Sequence, residues 1–87
     1  MGIKSGDTVA HTVEYADIIE DDEFLTGSQR WLARSSAVAD SCGDVVFTAV
    51  RMVGILGNTS TGDVETFTRN PVDAVKLTYS SRYDQYL

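Results

Sequence analysis

The sequence predicts a small α+β domain: an antiparallel sheet of two to four short strands packed against one or two helices. Three observations lead there. Val45–Leu56 is a short, dense run of Val, Phe, Ile and Thr, the pattern of a buried strand. Residues 29–42 bring Trp31, Leu32, Ser35, Val38, Ala39 and Cys42 together at spacings of three and four, the pattern of a helix face. Asn70-Pro71-Val72-Asp73 combines an N-cap, a proline at the first helical position and an early acid, the pattern of a helix start. The alternative is an all-β barrel or sandwich, which requires strands over both Val9–Tyr15 and Val75–Tyr79.

The 87 residues fit one domain, 1–87, with one modest core. Ser5-Gly6-Asp7 starts the first element. Thr8–Ile19 supports two readings. Val9, Val13 and Ala16 lie on a helical stripe, whereas Val9, His11, Val13 and Tyr15 alternate at strand period. β-branched Thr and Val favour a strand through about Tyr15, followed by a polar connection through the acidic run. Thr26-Gly27-Ser28 reads as a break and a cap, after which the helix Gln29–Ser41 begins and Gly43 stops it. In the core strand, Val46, Thr48, Val50, Met52 and Gly54 share one face; Val45, Phe47, Ala49, Arg51, Val53 and Ile55 share the other. Gly57–Asp63 is a loop by composition, and Val64–Thr68 returns as an antiparallel strand. The final helix runs from about Pro71 to Arg82 or beyond, with Val72, Val75, Tyr79, Tyr83 and Tyr86 recurring at three and four. A strand over Ala74–Tyr79 is its competitor.

Charge is unevenly placed. Residues 5–29 contain Asp7, Glu14, Asp17, Glu20, Asp21, Asp22 and Glu23 and no Lys or Arg, whereas four acids balance four bases over residues 45–87. The formal net charge of -6 is thus an N-terminal property. A field of this sign repels phosphates, so direct nucleic-acid binding is not expected. It suits a larger protein with a basic surface, whose encounter it would accelerate. The expected partner-binding residues are Asp17, Glu20, Asp21, Asp22 and Glu23, joined by Tyr83 and Tyr86, amphipathic aromatics of a kind enriched at interfaces.

Motifs for chemistry are weak. His11 with Glu14 and Asp17 matches no zinc spacing, and Glu20–Glu23 lacks the alternating oxygens and glycine of a calcium loop. Asp63-Val64-Glu65 lacks that spacing too. Cys42, the single cysteine, excludes an internal disulfide and reads as a buried thiol at a helix end. Ser35 and Ser36 lack a nucleophile-elbow context, and no lysine follows Gly57–Gly62 as a phosphate loop requires. No cofactor or metal is expected, and no enzymatic activity. The longest apolar segment is shorter than the roughly 20 residues of a membrane helix, and no signal-peptide pattern opens the chain, so a cytoplasmic protein without membrane contact is expected.

Two functional classes follow: a non-enzymatic inhibitor or adaptor docking its acidic surface, and a structural subunit of a homo-oligomer or virion-like assembly. The second draws on the tyrosine-rich end and on Val45–Leu56, which could add a strand across subunits. A small metal-dependent hydrolase using His11 is a third.

Overall fold

The computed structural model describes residues 10–53 and 59–79. These residues form an all-β structure, not α+β: seven strands in one sheet that curls into a half-barrel. In chain order they are β1 (His11–Glu14), β2 (Glu23–Thr26), β3 (Gln29–Ala33), β4 (Val38–Ala39), β5 (Val45–Val53), β6 (Thr59–Arg69) and β7 (Ala74–Tyr79). A single 3₁₀ turn, Tyr15–Asp17, is the only helical geometry among the described residues. All pairings are antiparallel: β1 with β7, β7 with β2, β2 with β3, and β3 with β5. Beyond β3, the short β4 continues along the same strand, β5, and β6 pairs with β5 as well.

Both expected helices are therefore corrected. Residues 29–41 contain two strands because alternation overrides the helical stripe. Trp31 and Ala33 are buried against Arg51 and Ala49 of β5, with Leu32 between them facing outward. The presumed cap Gly27-Ser28 is the two-residue tip of a hairpin: Thr26 pairs with Gln29, and Gly27 supplies φ +63°. A glycine at the first tip position suits the twist of the flanking strands. Asn70–Asp73 likewise closes a turn. The Asp73 amide donates to the Asn70 carbonyl at 3.2 Å, and the Val72 amide to Asn70 Oδ1 at 3.0 Å. Asn followed by Pro starts such a turn as readily as a helix. Beyond it Val75 and Leu77 alternate into the core as β7, the strand that competed with the helix.

The core lies on one face of the sheet and is built on rings. Phe47 and Phe67 stack at 5.2 Å with planes 9° apart, while Phe24 meets both edge-on at 5.7 and 5.5 Å. Trp31 meets Phe67 edge-on at 4.9 Å. Tyr15 and Ile18, from the connection after β1, close over this layer. The connection is tied down by the Tyr15 amide on the Asp73 carbonyl, 2.8 Å, and the Ala16 amide on the Pro71 carbonyl, 3.1 Å. Such aromatic geometry adds about 0.5–1.5 kcal/mol per pair beyond area burial.

Candidate functional site

β6 forms one margin of the sheet. Among the described residues it pairs with β5 alone. It is 11 residues long, and Phe67 is its one buried side chain. Val64, Thr66 and Thr68 face outward, opposite Val50, Thr48 and Val46 of β5; the alternation expected over Val64–Thr68 is present. Glu65 and Asp63 share the face of Phe67 yet are exposed, because they lie beyond the end of the ring layer.

The strand begins earlier than its composition indicated. Residues 59–63 belong to β6, but the register shifts between Val50 and Met52 of β5: Val50 faces Val64 and Met52 faces Ser60. The extra β6 residues are absorbed around Gly62, at φ +85°, with the Ser60 hydroxyl accepting from the Gly62 amide and the Thr61 hydroxyl from the Asp63 amide. Arg51 clamps the irregularity through a 2.8 Å ion pair to Asp63. From Asp63 to Arg69 the strand is regular and carries neither proline nor lysine, two residues that commonly blunt an exposed edge.

An apolar row continues from the edge across the outer face. Val64, 54% exposed, faces Val50, which is fully buried although on this outer face and is flanked by half-buried Leu32 of β3. Val38 of β4, 62% exposed, lies opposite Val46 in the next row. At the end of β6, Arg69 lays its guanidinium 4.8 Å from the Phe67 ring centre and 5.8 Å from that of Tyr15, with Nη1 donating to the Thr68 carbonyl.

The acidic residues form a different surface. Asp17, Glu20 and Asp21 are exposed along the connection between β1 and β2. Asp22 is fully buried and is no surface residue: its Oδ2 accepts the Ile19 amide at 3.0 Å, and its own amide donates to the Ile19 carbonyl. It shapes the turn that puts Asp21 at φ +76°. Glu23 is half-buried on the outer face and accepts from the Thr78 hydroxyl at 3.0 Å. Tyr83 and Tyr86 lie outside the described residues, as do Gly54–Gly57.

Other candidates resolve plainly. His11 pairs with Leu77 and is half-buried on the core side, while Glu14 is exposed on the other. Among the described residues no three metal-ligating side chains group together, and no helix is long and apolar enough to cross a membrane. Cys42 is exposed, not buried. It sits in the Asp40–Asp44 turn, where Asp40 Oδ1 accepts the amides of Cys42 and Asp44. Ser35 is structural: its hydroxyl accepts the Thr48 amide at 3.0 Å. Compared with protein-family models, with curated proteins and with solved structures, the chain matches none.

Proposed function

We propose that the chain is a structural subunit that associates with further copies of itself by adding strands at the edge of β6 that no described strand occupies, the kind of subunit from which a homo-oligomer or virion-like shell is built. The observation that carries this reading is the regular Asp63–Arg69 edge, exposed along its length except at Phe67 and half-buried Arg69. Unpaired strand backbone is a template for another strand. Seven paired residues would supply about six hydrogen bonds, worth about 3–9 kcal/mol together. Association itself costs on the order of 4–15 kcal/mol. A single edge contact is therefore weak, and it becomes durable when several subunits hold one another.

Light-scattering mass over a micromolar-to-millimolar concentration series tests the reading. The mass of the native chain should rise with concentration, while a Val64→Lys/Thr66→Lys variant should stay at 9.5 kDa. Both positions are exposed, so circular dichroism and melting of the variant should match the native chain. A native chain that remains monomeric throughout the series refutes the reading.

A second reading, docking to a basic partner, draws support from the exposure of Asp17, Glu20 and Asp21 on one connection. Its signature is association that weakens as salt rises, with a lower on-rate when these three residues become Asn, Gln and Asn.

A further inference from the structure

Resting on the self-assembly reading, we infer that the second copy pairs antiparallel along β6 about a two-fold axis at Thr66, which sets Arg69 of each copy opposite Asp63 of the other. Charge and symmetry select this register. β6 carries its acids, Asp63 and Glu65, toward one end of the regular segment and its single base, Arg69, at the other. A parallel, in-register pairing sets acid against acid. Antiparallel pairing about a two-fold axis normal to the sheet keeps the outer face outward, so each residue meets one on the same face.

The possible centres then differ in what they oppose. An axis at Val64 sets Asp63 against Glu65, and an axis at Glu65 sets Glu65 against itself; directly opposed like charges are destabilising. An axis at Phe67 also sets Arg69 against Glu65, but it brings Pro71 opposite Asp63, where a donor is missing and the strand has already ended at Arg69, so only Glu65–Arg69 would pair. An axis at Thr66 uses the whole Asp63–Arg69 segment. It places Arg69 directly across from Asp63 and diagonal to Glu65 of the second copy, within reach of a long side chain. On the outer face it sets Val64 against Thr68 and Thr66 against Thr66.

The side chains have capacity for these contacts. Asp63 is 62% exposed at its side chain, and a carboxylate already bonded to Arg51 retains further acceptor sites. Arg69 Nη1 donates to the Thr68 carbonyl, and a guanidinium has five N–H donors.

Two experiments decide the register. Asp63→Arg and Arg69→Asp should each lower self-association about tenfold when alone, while an equimolar mixture should recover it. In the mixed pair every 63–69 opposition is again Arg with Asp. Both variants are first checked for native circular dichroism, because Arg69 also covers rings of the core. Cysteine cross-linking in a Cys42→Ser background is the second measurement and leaves Arg69 intact. Thr66→Cys should form a disulfide with itself, and Val64→Cys should cross-link with Thr68→Cys but neither with itself, since directly opposed strand residues lie within disulfide reach. Assembly of the native chain with cross-links in another pattern overturns the register while leaving self-assembly standing. A native chain that never assembles overturns both.

Discussion

Phe67 is the residue on which β6 depends, and Phe67→Ala should show it. The ring stacks on Phe47 at 5.2 Å and meets Trp31 and Phe24 edge-on at 4.9 and 5.5 Å, while Arg69 covers it at 4.8 Å. Truncating a buried Phe costs about 3–5 kcal/mol in lost transfer energy and residual cavity. A chain of this length has roughly 4–13 kcal/mol of total stability, so the variant should lose from about a quarter to all of it, read as a fall in the urea midpoint. Phe67→Leu keeps part of the apolar volume but loses the ring contacts with Phe47, Phe24 and Trp31, and should cost less than Phe67→Ala, about 1.5–3 kcal/mol. Urea unfolding followed by the fluorescence of Trp31, the single tryptophan, reads the loss beside the mutated site. Since Phe67 is the one buried side chain of β6, the amides of 63–69 should lose hydrogen-exchange protection before those of β2 and β3. A loss below about 1 kcal/mol for Phe67→Ala, or protection falling evenly over the sheet, would refute the view that this ring anchors the edge.

Three further substitutions test local features by thermal or urea unfolding. Asp21→Gly relieves a side chain held at φ +76° while adding freedom to the unfolded chain, two opposed effects that should leave stability within about 1 kcal/mol of the native chain; a larger loss would show that the Asp21 side chain holds the turn. Asp22→Ala removes the buried acceptor of the Ile19 amide and should cost about 1–3 kcal/mol; an unchanged midpoint would show that the turn forms without it. Arg51→Ala breaks an ion pair whose side chains are 41% and 62% exposed, and should cost no more than about 0.5 kcal/mol; a larger loss would mean that the clamp fixes the β5–β6 register.

Strand alternation was legible where one face had to be buried. Val45, Phe47 and Ala49 share one buried face of β5 as their period of two indicates, but past Ala49 the burial changes face: Val50 and Met52 of the opposite face are buried, Arg51 is half-buried and Val53 is exposed, next to the register shift toward β6. Residues 29–41 misled because Trp31, Leu32 and Ser35 fit a helical face as well as two strands do. What decides between them is pairing with β5, which is separated from β3 in sequence. Gly27-Ser28 carried the missing signal: two residues of that type between apolar runs mark a hairpin tip as readily as a cap. Asn70-Pro71 was ambiguous for the same reason, since an Asx turn and an N-cap use one bond geometry. The acidic run hid a sharper distinction. Nothing in Glu20-Asp21-Asp22-Glu23 shows that Asp22 turns inward, because its burial follows from the close fit of the turn against Ala33, whose amide donates to the Asp22 carbonyl. The edge was legible only as a strand; that β6 lies at the margin is a property of strand order.

Acidic docking and pairing along β6 make opposite demands on salt, and this separates the two functional readings. Two copies carrying -6 each, with centres on the order of 30 Å apart given a molecular breadth of 29 Å, repel by about 5 kcal/mol in unscreened water. Screening reduces this to about 2 kcal/mol at 0.01 M salt and close to zero at 0.15 M. The exposed Asp63–Arg69 oppositions lose at most about 1 kcal/mol each over the same range, and less where their gain is at the low end of measured exposed pairs. Edge pairing supported chiefly by backbone bonds should therefore range from nearly unchanged to about twentyfold stronger as salt rises from 0.01 to 0.15 M, the upper end applying where the charge oppositions contribute little. Docking of Asp17, Glu20 and Asp21 on a basic surface runs the other way, since its attraction is what the salt removes. Sedimentation across that salt range distinguishes them. Self-association that falls steeply with added salt would mean that charge contacts, not the backbone edge, hold the copies together.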